Sequence, residues 1–284
     1  MIKNLCTVSD INYLHQGLAL YDSLVKTSNN FTLHYLCLCD ASYSIVSKID
    51  NENIKAYHIK HLLVNDEKLV NIKNTEYSYF CWLLSSYFTN TLIKEYDSIM
   101  YIDSDIYFHK DIQLIFDEIG DRDVGIFRHR QFPLHLNFNE GKYNVGVVYF
   151  KNSEDGCKTL SWWVDAVLNK KYPELATCGD QKYLDYFPEI CKEIYIDKNI
   201  GHGAPWQWQV YKLLGNGKLI WEGQTQDLVF THFASFALTA TSYIPSTKHK
   251  CYTAPMEYIN NKYLKEIYDE YYLQIKNTIQ FHMS

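Results

Sequence analysis

Apolar positions along the first hundred residues switch repeatedly between two periods. The segments KNLCTV and FTLHYLCLCD are nearly continuous apolar runs, as expected of strands buried on both faces. Between them, NYLHQGLALYDSLVK carries Leu14, Leu18, Tyr21, Leu24 and Val25 at helical spacing. SYSIVSKI predicts a short helix and IKAYHI a third strand, and a helix from about Ser78 to Lys94 leads into the strand SIMYID. Strands alternating with helices predict an α/β fold with a mostly parallel central sheet flanked by helices.

The second half mixes a strand YNVGVVYF, a helix CKTLSWWVDAVL, the irregular segments CGDQKYLDYFP and IGHGAPWQW, and a strand LVFTHF. From Pro255 onward the interleaved apolar and charged residues predict a helix that packs on the core, with peripheral contact to a membrane surface as the alternative. No linker rich in Pro, Gly or Ser, no repeat and no low-complexity tract divides the chain. One domain over 1–284 is therefore expected, with a nucleotide-side half at about 1–120, a smaller acceptor-side region at about 121–254 and a tail helix at 255–284.

Composition narrows the partners. The net charge of −6 and the lack of a Lys/Arg block exclude a nucleic-acid-binding class, whose phosphates require a basic stripe. Aromatic residues reach 16%, with 25 Tyr and 14 Phe; such rings suit sugars and nucleobases, but a general Tyr bias accounts for most of them. The eight cysteines include no Cys-x-x-Cys, and Cys37 and Cys39 are expected on one face of a strand as reduced thiols of a cytoplasmic protein. The start of the chain lacks signal-peptide features. No apolar run approaches the roughly 20 residues of a membrane helix.

The candidate chemistry lies in SIMYIDSDIYFHKDI. Two carboxylates held close repel unless a cation or several donors sit between them, so Asp103 and Asp105 call for something to offset that cost. The spacing alone is weak, since Asp121 and Asp123 repeat it in EIGDRDVGIF. Position separates the two pairs. Asp103 and Asp105 end a strand, where ligands of parallel sheets collect, whereas Asp121 and Asp123 follow the helix IQLIFDEIG in a turn. Two residues apart on extended chain, Asp103 and Asp105 point the same way and make half of a site for a hard divalent cation. Capping a following helix is the alternative, but IYFHKD intervenes before that helix starts.

The stretch YIDSDIYFHKDIQLIFDEIG resembles the Asp-x-Asp strand end of GT-A fold glycosyltransferases, in particular the glycogenin-like retaining (family 8-type) galactosyl- and glucosyltransferases. YNVGVVYF is similar to their Asn-Ala-Gly strand, GDQKYLDYFP to their Gly-Asp-Gln segment, and LVFTHF to their strand ending in a metal-binding His. The same order of motifs, through APW, is similar to a group of bacterial nucleotide-diphospho-sugar transferases. The resemblance implies a metal-dependent hexosyltransferase using a nucleotide sugar, a UDP-sugar, with a glycan, lipid-linked or protein acceptor. It implies His232 as third metal ligand beside Asp103 and Asp105, and imidazole with carboxylates suits Mn²⁺ better than Mg²⁺. It further implies that Thr7 and Val8 offer backbone groups to the base, Asp10 a carboxylate to base or ribose, and Tyr13 a stacking ring, although Ser9 or Asp10 could equally cap a helix. Ser104 would lie beside the ribose, Asn144 would face the donor sugar with Gly146 allowing close backbone approach, and Asp180 and Gln181 would adjoin the anomeric carbon, stabilising its charge if configuration is retained, with Asp180 as general base if it is inverted.

Two features depart from the family. Ser78 and Tyr79 stand near a basic residue of those enzymes, and FASFALTAT follows His232 in place of a segment with a phosphate-binding Lys. Arg128, Arg130 and Lys248 are the candidate replacements. Of the two indoles in GHGAPWQWQ, Trp206 and Trp208, Trp206 is either an acceptor platform or core; Trp162 and Trp163 are expected to pack. The rival readings are a noncatalytic nucleotide-sugar or glycan-binding scaffold and a glycoside hydrolase.

Overall fold

The computed structural model describes residues 2–64, 66–130, 141–172, 174, 179–247 and 261–283. Its first half follows the alternation of the sequence: β1 (Lys3–Ser9), α1 (Leu14–Thr27), β2 (Phe31–Cys37), α2 (Asp40–Val46) and β3 (Ile54–His58). Two helices not anticipated, α3 (Lys60–Leu63) and α4 (Glu67–Thr75), precede α5 (Tyr77–Leu92) and β4 (Ser98–Ile102). Asp66 caps α4 by accepting from Leu69 N–H. Cys39 is not on β2: it caps α2, its thiol accepting from Ser42 N–H, because the strand ends at Cys37.

A short β5 (Ile106–Phe108), α6 (Gln113–Ile119), β6 (Val124–Arg128), β7 (Tyr143–Lys151) and α7 (Glu154–Leu168) follow. Ser153 caps α7, and Glu154 and Asp155 stand in its first turn, where the helix dipole favours negative charge. Beyond α8 (Phe187–Ile190), β8 (Ile194–Ile196) and β9 (Gly201–Gly203), the chain forms β10 (Lys212–Gly215), β11 (Lys218–Trp221), β12 (Gln224–His232), β13 (Ala237–Leu238), β14 (Tyr243–Ile244) and a terminal helix α9 (Lys262–His282). The expected tail helix thus begins at Lys262 among the described residues; 255–260 and Lys248 lie outside them.

Seven strands form the main sheet in the order β3-β2-β1-β4-β7-β6-β8, and only β7 runs against the others. The chain builds outward from β1 to β3, then returns to place β4 on the opposite side of β1, so the strand order reverses between the carboxyl ends of β1 and β4, where ligands of such sheets collect. One face of the sheet packs on α5 and α7 through Phe80, Leu84, Phe88, Trp163 and Phe150. The other packs on α1 through Leu14, Leu18 and Leu24. Several of the abundant tyrosines, including Tyr35, Tyr107, Tyr183, Tyr268 and Tyr271, are fully buried, so much of the aromatic content is core.

A second sheet runs β10-β11-β12-β5, with β9 also on β12. β5 leaves the rim directly after Asp105 and pairs antiparallel with β12, so that His232 lies opposite Ile106. α9 covers this sheet and is tied to α1 by Asp22, which accepts from Gln274 and Thr278 and pairs with His282.

Candidate active site

Asp103 and Asp105 stand just past β4 with their side chains mostly shielded, and the β5–β12 register delivers His232 between them. His232 Nε2 lies 3.0 Å from Asp105 Oδ1 and 3.7 Å from Asp103 Oδ2. One ligand atom from each of the three lies within 4.8 Å of the others. The Asp103 N–H donates to Gly146 C=O at 2.8 Å, and the Asp105 C=O accepts from Phe233 N–H at 2.8 Å, which fixes the backbone on both sides.

Hydrogen bonding determines which imidazole nitrogen faces the carboxylates. Asn144 Oδ1 accepts from Gly146 N–H at 2.9 Å, so that atom is the amide oxygen, and His232 Nδ1, 3.3 Å from it, carries the proton it donates. In the neutral ring this leaves the Nε2 lone pair toward Asp103 and Asp105, the tautomer a metal ligand requires, whereas in the protonated ring Nε2–H donates to Asp105 at 3.0 Å. Burial lowers the pKa of His232, but the charge and hydrogen bond of Asp105 and the charge of Asp103 outweigh it and raise the net value. Burial likewise raises Asp103, opposed by His232 and by a 2.7 Å hydrogen bond from the Tyr101 phenol. A site whose two carboxylates favour positive charge on the imidazole between them has the donor set and the field for a divalent cation. Gly146 supplies the room: a Cβ there would stand 2.7 Å from Asn144 Oδ1 and 2.8 Å from His232 Nδ1.

The amide chain continues from Asn144 Nδ2 to Gln181 Oε1 at 2.8 Å, and Gln181 opens a 3-10 turn, Gln181–Tyr186, directly after Asp180. Asp180 is buried and its pKa is pushed up to about 7, chiefly by burial and also by the charge of Asp103, against a hydrogen bond from Ser85. Ser85, on α5, donates to Asp180 Oδ2, and Trp163 Nε1 donates to the Asp180 carbonyl at 3.1 Å. Sequence reasoning missed Ser85; a small polar residue inside an apolar helix face was the available signal. Trp163, expected to pack, does so and also holds Asp180 in place.

No protein-family model matches the sequence. The uncharacterized protein YfnF of Bacillus subtilis (strain 168) is 27% identical over 264 residues, covering 86% of this chain and 85% of that protein. Among solved structures, mouse xyloside xylosyltransferase 1 superposes with a TM-score of 0.56 at 14% identity, over 86% of this chain and 100% of that one. The galactosyltransferase LgtC, solved with donor and acceptor sugar analogs, gives 0.53 at 13% identity over 81% of this chain and 86% of its own. The chain has the GT-A glycosyltransferase fold. Identities this low establish the fold and leave the activity to the site itself.

Within the GT-A fold, the loop after β1 adjoins the carboxylate pair. Asp10 accepts from the N–H groups of Asn12 and Tyr13 at 2.9 and 3.3 Å, shaping the entry to α1, whereas Ser9 bonds Tyr35 and caps nothing. Tyr13 is 42% exposed, and after burial the charge of Asp105 is the strongest influence on its raised pKa, which ties this loop to the rim. Val8 is half-buried and Ser104 buried; Thr7 is buried with its hydroxyl unpartnered among the described residues.

The candidate cations lie elsewhere. Arg128 and Arg130 both converge on buried Asp197, which also meets His202, and the Arg130 guanidinium lies 3.6 Å over the Trp221 ring. They brace the junction of the two sheets because a buried carboxylate needs that charge. Lys170 does stand near Ser78: it bonds both Glu76 oxygens at 2.6 Å and borders a hollow of about 420 Å³ with Tyr77, Ser78, Tyr79 and Trp82. Trp206 offers no open face to a sugar. It is buried, donates to His129 C=O and meets the His232 ring edge-on at 5.4 Å. Trp208 is core beneath Gly203.

Proposed function

We propose that the protein is a metal-dependent glycosyltransferase that moves a hexose-type sugar from a nucleotide sugar, a UDP-sugar, to a glycan, lipid-linked or protein acceptor with retention. The observation that carries this reading is the convergence of Asp103, Asp105 and His232 with Asn144, Asp180 and Gln181 at the switch point of the sheet. Mn²⁺, or Mg²⁺, held by Asp103, Asp105 and His232 would neutralise charge on a diphosphate leaving group.

The chain's own groups supply the rest. Thr7 and Val8 meet the base, Asp10 and Ser104 the ribose, and the Tyr13 ring stacks. Gly146 admits the donor, while the Asn144–Gln181 amide pair holds the sugar. Ionised Asp180, kept in place by Ser85 and Trp163, stabilises positive charge at the anomeric carbon. The acceptor hydroxyl attacks from the face of departure, and a leaving-group phosphate oxygen takes its proton, so no strong base is required. Residues 1–120 then form the donor side and 121–254 the acceptor side of one unit acting in the cytoplasm or at a membrane surface. No described helix is long and apolar enough to cross a membrane.

A glycoside hydrolase places two carboxyl groups about 5 Å or more apart on either side of the bond; Asp103 and Asp105 instead converge with His232 on one point. A noncatalytic nucleotide-sugar-binding scaffold is favoured by the engagement of Arg128 and Arg130 away from the rim. A thermal-shift screen of UDP-sugars with and without Mn²⁺, followed by assay of UDP release, separates these readings. Transfer predicts stabilisation by at least one donor that requires Mn²⁺, together with UDP release. Binding without release selects the scaffold, and no response to any donor contradicts both.

A further inference from the structure

The terminal helix packs a phenol against residues that follow Asp105 and His232 in the chain. Tyr271 is fully buried, and its hydroxyl has no hydrogen-bond partner among the described residues. Its ring stacks on Phe233 at 3.7 Å and 6°, and Phe233 N–H is the donor to Asp105 C=O. It also meets Tyr107, two residues past Asp105, edge-on at 5.7 Å. One α9 residue therefore packs against Phe233, which directly follows His232, and against Tyr107, two residues after Asp105. Among charged groups, the Asp105 carboxylate acts most strongly on the Tyr271 phenol.

A second unpartnered atom belongs to a residue that bonds a packing neighbour of Tyr271. Gln16 of α1 donates to Phe236 C=O at 3.2 Å, the Phe236 ring packs edge-on against Tyr271 at 4.9 Å, and buried Gln16 Oε1 has no partner among the described residues. Buried polar atoms without protein partners are commonly joined by an ordered water, which needs two to four such groups.

We propose that Tyr271 is a positioning residue for the metal site, its hydroxyl sharing a buried water with Gln16 and bonding through it to the Asp105 carboxylate. This rests on the reading of Asp103, Asp105 and His232 as metal ligands. Partners of this kind orient a ligand carboxylate, and their loss typically weakens metal affinity 10–100-fold. If the hydroxyl were only a packed core atom, removing it would leave metal binding untouched.

The test is titration of the full chain with Mn²⁺ alone, read by electron paramagnetic resonance of free Mn²⁺ and by melting temperature. The wild type is compared with Tyr271→Phe, which keeps the ring, and with Tyr107→Phe, which removes a phenol bonded instead to Glu270. The expected result is an affinity for Mn²⁺ about tenfold weaker in Tyr271→Phe, unchanged in Tyr107→Phe, with the metal-free melting temperature of Tyr271→Phe held. Equal affinities in wild type and Tyr271→Phe overturn the positioning role alone. A wild type that binds no Mn²⁺ overturns the metal site and this proposal with it.

Discussion

Asp103-Ser104-Asp105 and Asp121-Arg122-Asp123 are the same pattern written twice, and the fold sets them in opposite surroundings. The second sits in the turn between α6 and β6, where Arg122 pairs with Glu193, Asp123 N–H donates to Glu193 C=O, and Asp123 C=O accepts from Lys151 N–H at 2.8 Å. Its work is done by the backbone and by Arg122. The first sits at the rim beside β1 with a histidine delivered between its carboxylates, and burial with mutual repulsion raises Asp103. Spacing makes a pair of carboxylates; the strand ahead of them and the register behind them decide whether that pair can hold an ion.

The sharpest way to break this comparison is to remove each pair in turn. Asp103→Ala or Asp105→Ala is expected to lower Mn²⁺-dependent UDP release by about 10²–10³-fold, the range for losing one group that stabilises developing charge. Asp121→Ala, measured alongside, is expected to match the wild type. Equal losses at both sites would sink the argument from position.

Asp180→Asn comes next. The folded pKa of about 7 lies above the ordinary carboxylate value, so the fold retains a proton there that the unfolded chain has shed. Stability from this group is present at low pH and lost as pH rises through about 7, while the ionised form needed beside a cationic sugar is gained. Wild-type kcat/KM for the donor should therefore climb with pH through a limb near 7, and Asp180→Asn should be slow and lack that limb. Ser85→Ala keeps the carboxylate but removes the hydrogen bond that lowers its pKa, so its limb should move to higher pH.

Gly146→Ala sharpens the comparison from the backbone side. The added methyl meets Asn144 and His232 at under 3 Å, and overpacking of this kind costs about 1–3 kcal/mol. A lower melting temperature together with weakened Mn²⁺ binding is expected. Gly223→Ala, with open space at its Cβ, should leave Mn²⁺ binding intact and lose only the small cost of a positive φ.

The contrast also shows what a sequence can carry. Asp103 and Asp105 were legible from position, at the end of a strand with a local period, whereas Asn144, Asp180 and His232 were legible only through the order of motifs that resembles the glycogenin-like enzymes. Cross-strand register is not local: nothing in IYF announces that it pairs with residues more than a hundred positions later, yet that pairing is what sets His232 opposite Ile106. The β10–β11 hairpin had a readable cue in Gly215-Asn216-Gly217, all at positive φ, that periodicity alone passes over. Arg128 and Arg130 misled because a cation near a predicted site attracts a ligand role, and their actual partner, Asp197, lies about seventy positions away. Ser85 and Tyr271 carry no motif; only packing brings them to the site.

The central claim is that position turns one of two identical spacings into a metal-dependent donor site. Calorimetric titration of UDP with and without Mn²⁺ tests it most directly, using Asp103→Asn and Asp123→Asn, which change charge without changing shape. UDP binding that requires Mn²⁺, lost in Asp103→Asn and retained in Asp123→Asn, is the predicted result. UDP binding indifferent to Mn²⁺, or affected equally by the two substitutions, would contradict it.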